Sequence, residues 1–261
     1  MNQAMNTYEY SVAPENIDFQ GQVTVPSICG NIINSIGQNI RKEGFGIDVM
    51  KRANRTWVLL RSAFEIYSRP KLYDVLNVTV WPVPGDGITY SRCIRITDSE
   101  GYEIGRGTTE WCIIDIGSRR PIFPDLGIMV TGAGIPCKNP RRITGFAPEI
   151  TDERKIGYSA CDFNGHLNNT HYIEMFYDLL PEEILSTTSP IRLDINYRHE
   201  AVCGNKVSIG LKETETGEYL FTACSGEDTL CRASLRKILD WKQPERSFAV
   251  ASSLHIADSS C

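Results

Sequence analysis

A phrase that occurs twice, 144 positions apart, constrains the fold of this chain more than any other feature. The second copy, Asp162–Asn169, reads DFNGHLNN, and the first, Asp18–Val25, reads DFQGQVTV. Both copies keep the Asp-Phe pair, the glycine and an apolar residue before a helical pattern. They differ in chemistry, because the first copy has glutamine where the second has Asn164 and His166, and only imidazole changes charge near neutral pH. We therefore predict a duplicated domain whose second copy alone kept the active groups.

The flanking sequence supports the duplication. Each copy is predicted to contain one strand, one helix and four further strands. The first-copy helix, residues 24–42, carries isoleucines at helical spacing, and a shift of 144 places them on Tyr172, Phe176 and Leu180 of a second helix at 168–180. The later strands align best at an offset of 129. The predicted strands cover 8–12, 56–67, 73–82, 87–98 and 102–116 in the first copy, and 154–161, 191–200, 205–214, 217–226 and 229–239 in the second.

This order predicts an α+β protein with a tandem, or double, hotdog architecture. In each unit, a long central helix packs on a curved antiparallel sheet. We divide the chain into an N-terminal unit at 1–126, a linker at 127–152, a C-terminal catalytic unit at 153–240 and a polar tail at 241–261. The linker assignment depends on the abundance of Gly, Pro and Arg in that stretch.

The composition is that of a globular protein, with 41% apolar and 23% charged residues. The net charge of -5 gives no support to nucleic-acid binding. A run of about 18 apolar residues, as a membrane span requires, does not occur in the sequence. The nine cysteines lack Cys-x-x-Cys spacing, which favours reduced thiols in a cytoplasmic protein over a disulfide framework or a metal site.

Three segments resemble the acyl-ACP thioesterases, which release fatty acids from acyl carrier protein. The first is the phrase from Asp162 to Asn169, and the second is Tyr197-Arg198-His199-Glu200. The third runs from Thr109-Glu110-Trp111 to the basic pair Arg119-Arg120. The resemblance covers most of residues 8–240. It implies thioester hydrolysis without a cofactor or metal, acyl carrier protein as partner, and a first unit that sets the preferred acyl chain length.

The resemblance also implies a set of catalytic residues. We expect Glu200 to be the general base on water, with His166 sharing or relaying the proton. Asn164 would orient the water or the carbonyl. Asp162 would position the cluster, or would itself be the base or nucleophile, and the sequence leaves both options open. The family often has cysteine after the glutamate, but this chain has Ala201, so we exclude a cysteine nucleophile there.

Substrate contacts are expected on both copies of the repeat. Asn168 and Asn169 would shape the entry of the catalytic helix beside the substrate. On the first-copy helix, the apolar stripe is either plain core or the wall of an acyl tunnel, and the proposed tunnel residues are Ile28, Ile32, Ile36 and Trp57. Because acyl carrier protein is acidic, a local basic patch would attract it. The proposed docking residues are Arg119, Arg120, Arg141 and Arg142.

Two other functions remain possible from the sequence. A hotdog thioesterase acting on acyl-CoA would use the same catalytic groups, and a non-catalytic protein would only bind acyl chains. The joint presence of Asn164, His166 and Glu200 speaks against the second. A double hotdog supplies its own domain pairing, so the chain could be a monomer, although exposed outer strands could also form a homodimer.

Overall fold

One antiparallel sheet of eleven strands runs through the part of the chain that the computed structural model describes, namely residues 5–84, 89–124, 126–128, 134 and 137–241. The strands are β1 (Asn6–Ser11), β2 (Arg55–Ile66), β3 (Val75–Val83), β4 (Tyr90–Asp98), β5 (Glu103–Asp115), β6 (Pro121–Ile122), β7 (Ile150–Lys155), β8 (Ile191–Tyr197), β9 (Lys206–Glu213), β10 (Tyr219–Ser225) and β11 (Asp228–Lys237). The helices are α1 (Val25–Lys42), α2 (Ile47–Arg52), α3 (Asn169–Leu179) and α4 (Glu182–Leu185).

The strand order shows the duplication directly. Along the sheet it is β1-β3-β4-β5-β2-β8-β11-β10-β9-β7, with β6 paired to β5. Each half therefore places its own strands in the order first, third, fourth, fifth, second, and the two halves are mirrored about the β2–β8 pair. That antiparallel pair runs from Arg61 opposite Asn196 to Ile66 opposite Ile191. The predicted double hotdog is confirmed, and its two sheets are joined edge to edge.

The two central helices begin and pack in equivalent ways. Thr24 caps α1 by accepting a hydrogen bond from the Ser27 amide, and Asn168 caps α3 by accepting one from the Thr170 amide. The α1 helix packs on β1 and β3, α3 packs on β9, and the helices contact each other. The apolar stripe of α1 is buried because it faces the sheet.

Two predictions about the repeat were wrong in detail. The strand predicted at 154–161 is β7, at Ile150–Lys155, and residues 158–160 form a short 3₁₀ turn. The strand β3 aligns with β9 at an offset of 131 rather than 129, because β1 pairs Tyr8 with Val78 whereas β7 pairs Asp152 with Ile209. An error of two residues preserves the alternation of strand faces, so the apolar pattern could not reveal it.

Residues 137–143 cross the outer face of the sheet at the junction of the halves. Arg192 and Asp194 of β8 are buried there, and Arg192 donates hydrogen bonds to the carbonyls of Lys138 and Asn139. The Arg141 amide donates to Asp194, and its side chain contacts Asp194, Glu218 and Ser234. These polar contacts hold the segment that connects the two halves against the sheet.

The predicted division at 1–126, 127–152, 153–240 and 241–261 stays a prediction. Residues 125, 129–133, 135 and 136 of the first boundary and the linker, and residues 242–261 of the tail, lie outside the described residues. None of the described helices combines the length and the apolar character that crossing a membrane requires.

Candidate active site

The DFNGHLNN phrase forms a tight turn that is held by Asp162. One carboxylate oxygen of Asp162 accepts hydrogen bonds from the amides of Asn164 (2.8 Å) and His166 (3.1 Å). The Asp162 amide donates to the His166 carbonyl, and Gly165 adopts a φ of 78°, which favours glycine. This geometry aims the His166 side chain away from the turn and delivers the chain to the N-terminus of α3.

The first copy has the same turn with different side chains. One Asp18 oxygen accepts from the amides of Gln20 (2.9 Å) and Gln22 (3.2 Å), and Gly21 has a φ of 73°. The aspartate therefore performs an identical structural task in the copy that lacks the histidine. The shared turn therefore supports a positioning role for Asp162. Only one of its carboxylate oxygens accepts these two hydrogen bonds, so a role as base or nucleophile would fall to the other oxygen.

The segment after β8 brings Glu200 to His166. The Leu167 amide donates to the Ala201 carbonyl (2.7 Å), and His166 forms an isolated bridge with Val202. These backbone contacts fix the residue before Ala201 beside the imidazole. His166 Nε2 lies 3.5 Å from Glu200 Oε2, and both side chains are partly exposed. The structure thus brings together the two residues that were expected to share a proton.

Arg119 of the first half contacts the same oxygen of Glu200 through Nη2. Arg119 has a φ of 58°, which is uncommon for a residue other than glycine. Its turn is braced by Asp115, which accepts from the Ser118 amide (2.7 Å) and from Asn54 Nδ2 (2.8 Å). The hydrogen bond with Glu200 raises the pKa of the Arg119 guanidinium, which therefore stays protonated. Sequence reasoning missed this contact, which spans 81 positions of the chain.

A cavity of about 380 Å³ joins these groups to the first half. Its polar end is formed by Asp162, Asn164, His166 and Glu200, and its other wall belongs to α1 and β2. The predicted helix-entry residues Asn168 and Asn169 and the predicted tunnel residue Trp57 line it as well. His199, which belongs to the second family-like segment but was not among the expected site residues, also lies on the wall. The cavity therefore lies between the two halves, with chemistry on one side and apolar surface on the other.

The structure corrects the predicted tunnel face of α1. Ile28, Ile32 and Ile36 are almost fully buried in the core and are not among the residues that line the cavity. The lining residues of that helix are instead Ile33, Asn34, Gly37 and Ile40. The apolar stripe identified the buried face, but the cavity runs along the edge of that stripe, one position further around the helix.

Tyr172 is a cavity residue that helical spacing had assigned to the core. Its ring is buried, but it lines the cavity, and within the described part of the chain its hydroxyl has no hydrogen-bond partner. Burial raises the pKa of Tyr172, and the nearby Glu200 charge adds to this effect. The hydroxyl is therefore a protonated donor without a partner among the described residues.

The predicted docking arginines differ in their contacts. Arg119 and Arg120 are exposed on the hairpin between β5 and β6, where Arg119 contacts Glu200. Arg142 is exposed next to Arg141, but Arg141 is engaged with Asp194 and Glu218 on the outer face. These ion pairs indicate a structural role for Arg141, in addition to the docking role predicted for it.

Comparison with known proteins agrees with this architecture. The acyl-ACP thioesterase N-terminal domain model matches residues 3–124, and the C-terminal domain model matches residues 148–236. Oleoyl-acyl carrier protein thioesterase 1, chloroplastic, from Arabidopsis thaliana is 26% identical over 235 residues, which cover 78% of this chain and 62% of the relative. The chain thus spans less than two thirds of the length of that relative.

Solved structures share the whole fold. The acyl-ACP thioesterase of Bacteroides thetaiotaomicron is 27% identical, with a TM-score of 0.81 over 90% of this chain and 99% of that one. The 12:0-ACP thioesterase of Umbellularia californica has a TM-score of 0.77 over 90% of this chain and 98% of that one, at 15% identity, and so shares the fold. With both domain models matched in order along one mirrored sheet, the chain belongs to the acyl-ACP thioesterase family.

Proposed function

We propose that the protein hydrolyses the thioester of an acyl chain on acyl carrier protein, releasing a free fatty acid and the carrier thiol. The observation that carries the proposal is the His166–Glu200 contact at the polar end of a cavity with an apolar wall. Family membership supplies the reaction class, and the relatives named above include enzymes for oleoyl and 12:0 chains.

The proposed reaction begins with a water molecule at the polar end of the cavity. Glu200 accepts a proton from this water, directly or through His166, and the hydroxyl oxygen attacks the thioester carbonyl carbon. The carbonyl oxygen becomes an oxyanion. When the carbon–sulfur bond breaks, the proton passes from His166 or Glu200 to the departing sulfur, which leaves a carboxylic acid and a thiol.

Three donors are positioned to stabilise the oxyanion. Asn164, which carries a side-chain amide, and Tyr172, which carries a hydroxyl, both line the cavity. The Asn169 amide is at the first position of α3, where a helix provides no internal partner. Donors fixed in place before the reaction stabilise developing charge without reorganisation.

The apolar wall would hold the acyl chain. Ile33, Gly37 and Ile40 of α1 and Trp57 and Leu59 of β2 belong to the first half, so that half would determine which chains fit. Gly37 has open space where a side chain would project, since a Cβ atom there meets nothing within 4 Å. We propose this position as one limit on chain length.

Carrier docking, cell compartment and assembly are also part of the proposal. The exposed Arg119, which contacts the cavity residue Glu200, and its neighbour Arg120 would attract the acidic carrier. The eight cysteines among the described residues are all unpaired, which supports a reducing compartment such as the cytoplasm. Among the strands of the described residues, β1 and β7 are the two at the ends of the sheet, and each could pair with a second chain to form a homodimer.

The test is thiol release from a panel of acyl-ACP and acyl-CoA substrates by the wild type and by His166→Ala. We expect release from acyl-ACP that the substitution abolishes, with a maximum at one chain length. Release from acyl-CoA alone would move the assignment to a CoA thioesterase. No release from a folded wild type would contradict hydrolysis and leave acyl binding.

A further inference from the structure

A second cavity, of about 540 Å³, lies at the mirrored position beside the turn of the first copy. Gln22 lines it where His166 lines the active-site cavity, and the neighbours Ser68 and Arg69 replace His199 and Glu200. The helix positions correspond as well, because Tyr177 and Ile184 of the second half lie 144 positions after Ile33 and Ile40. The duplication has therefore kept two related cavities with different chemistry.

Arg69 gives this second cavity a positive wall. It is the one charged side chain among the described residues that line the cavity. Its Nη1 lies 2.5 Å from Asp18 Oδ2, but Asp18 is not part of the lining. The pair is mostly buried, so solvent screens the guanidinium less than it would screen a surface charge. The Arg69 Nη2 also donates to Gln20 Oε1 (3.4 Å), so an anion in the cavity would share a guanidinium that Asp18 already pairs.

Tyr177 supplies an independent sign of a missing ligand. Tyr177 lines the cavity, its hydroxyl oxygen is buried, and the described residues provide no hydrogen-bond partner for it. Burial raises the pKa of Tyr177, with Cys29 adding to the rise and Arg69 opposing it, so the hydroxyl remains a protonated donor. Buried donors without a partner are uncommon in native proteins, and each requires an explanation.

The remaining wall combines hydroxyl groups with apolar surface. Thr187, Thr188 and Ser189 add donors, whereas Val25, Ile66 and Leu235 add aliphatic surface. Small-molecule sites are typically apolar cavities in which a few polar groups fix the orientation of the ligand. A carboxylate with an aliphatic chain matches this combination of one cation, free donors and hydrocarbon.

We propose that this second cavity binds a fatty acid, whose carboxylate accepts hydrogen bonds from Arg69 and Tyr177 while its chain lies along Val25 and Leu235. The choice of a fatty acid rests on the proposed function, of which it is the product. The cationic wall and the unpartnered hydroxyl do not depend on that function.

Titration calorimetry with sodium decanoate on the full chain tests the proposal. The wild type should bind at two sites, one in each cavity. Tyr177→Phe should weaken one site about fivefold, and Arg69→Gln should weaken the same site at least tenfold, because it removes a charge-assisted hydrogen bond. Arg69→Lys should restore part of the affinity. Arg95→Ala, a matched control in an exposed ion pair with Glu103, should leave both sites unchanged.

A fluorescence measurement assigns the signal to this cavity. Trp241 lines it and stacks on Tyr67 with ring centroids 4.8 Å apart, so decanoate should change its emission, and Trp241→Phe should remove that change. Decanol, which lacks the carboxylate, should bind at least tenfold more weakly at this site. Circular dichroism checks that each variant is folded. If Arg69→Gln is not folded, the affinity of Tyr177→Phe for decanoate provides the test.

Two results would overturn the proposal. One is a single decanoate site in the wild type that neither Tyr177→Phe nor Arg69→Gln affects, and the other is equal binding of decanol and decanoate. Thioester hydrolysis is assayed separately on the same preparations. Decanoate binding at the second cavity without thioester hydrolysis would support this site and contradict the proposed function. Hydrolysis without a second decanoate site would support the proposed function and contradict this site.

Discussion

Arg69 occupies in the first half the backbone position that Glu200 occupies in the second. The residue after each is tied to the repeated turn by the same hydrogen bond, from the Val23 amide to the Pro70 carbonyl (2.8 Å) and from the Leu167 amide to the Ala201 carbonyl (2.7 Å). The copies therefore have opposite charges at one fixed position. A histidine added to the first turn would lie beside Arg69 rather than a glutamate, so it would not create a second active site.

The first prediction uses the first copy as a template. His166→Gln should lower kcat by about 10²–10⁴, because glutamine cannot transfer the proton that a positioned acid or base handles. The fold should be kept, since Gln22 occupies the same turn. Thiol release from acyl-ACP and the unfolding midpoint measure the two effects. Retention of more than a tenth of kcat would contradict the role of His166.

The two roles of Asp162 can be separated by a pair of variants. Asp162→Asn retains an oxygen that accepts from the Asn164 and His166 amides, so a purely positioning residue should keep at least about a third of kcat. Asp162→Ala loses both hydrogen bonds and should cost about 1–2 kcal/mol of stability as well as activity. A loss of about 10³ or more in Asp162→Asn alone would identify Asp162 as the base or nucleophile.

Arg119 and Arg120 should have different kinetic effects although they are adjacent. Arg119→Ala should lower kcat about tenfold on any substrate, because Glu200 loses the group that orients it beside His166. Arg120→Ala should raise KM several-fold for acyl-ACP, increasingly at low salt, and should not affect a small acyl-pantetheine thioester. Steady-state kinetics with both substrates distinguish these outcomes. Equal effects of the two variants on carrier docking alone would contradict the Arg119 assignment.

Asp18 should make the stability of the first half depend on pH. Burial alone would raise the pKa of Asp18, but the hydrogen bonds from Arg69 and from the Gln22 and Gln20 amides outweigh it and lower the pKa below its ordinary value of 3.8. This stabilisation is complete above the pKa of the unfolded chain and is lost as the pH falls through the folded value. Asp18→Asn should therefore cost about 1–2 kcal/mol at pH 7.

Urea unfolding of the wild type and Asp18→Asn across pH 2–7 measures this effect. The difference between the two curves should be constant near neutral pH and should shrink below about pH 4. A difference that does not vary with pH would mean that packing, rather than the Asp18 charge, provides the stabilisation.

The repeat made most of the fold predictable. The capped, periodic helices and the strands β3 and β10 were evident because their buried faces repeat at 3.6 or 2 residues. The strand β8 is buried on both faces and was evident as a continuous run of β-favouring residues instead. The β7 strand was placed wrongly because nearly all of its residues are exposed, so Ile150–Lys155 shows no alternation. The short helix α2 has no such stripe and was not predicted.

The site was predictable only where its residues are close in sequence. The Asp162–Asn169 turn could be read as a unit. The Arg119–Glu200 contact depends on the β2–β8 junction that joins the halves, and nothing in either segment indicates it. The equivalence of Arg69 and Glu200 was hidden because the offset between the copies changes from 144 to 131 between the helix and the sheet. Likewise, helical spacing shows which face of α1 is buried but not that Ile33 meets a cavity.

The junction of β2 with β8 also has an evolutionary consequence. In a homodimer of identical chains, each substitution enters both copies at once, so a change that widens one pocket must be tolerated in its twin. Joining the copies in one polypeptide, with a shared sheet that keeps them in register, removes that constraint. Each copy is then free to accumulate its own substitutions, and a glutamate can be exchanged for an arginine on one side without loss of the other.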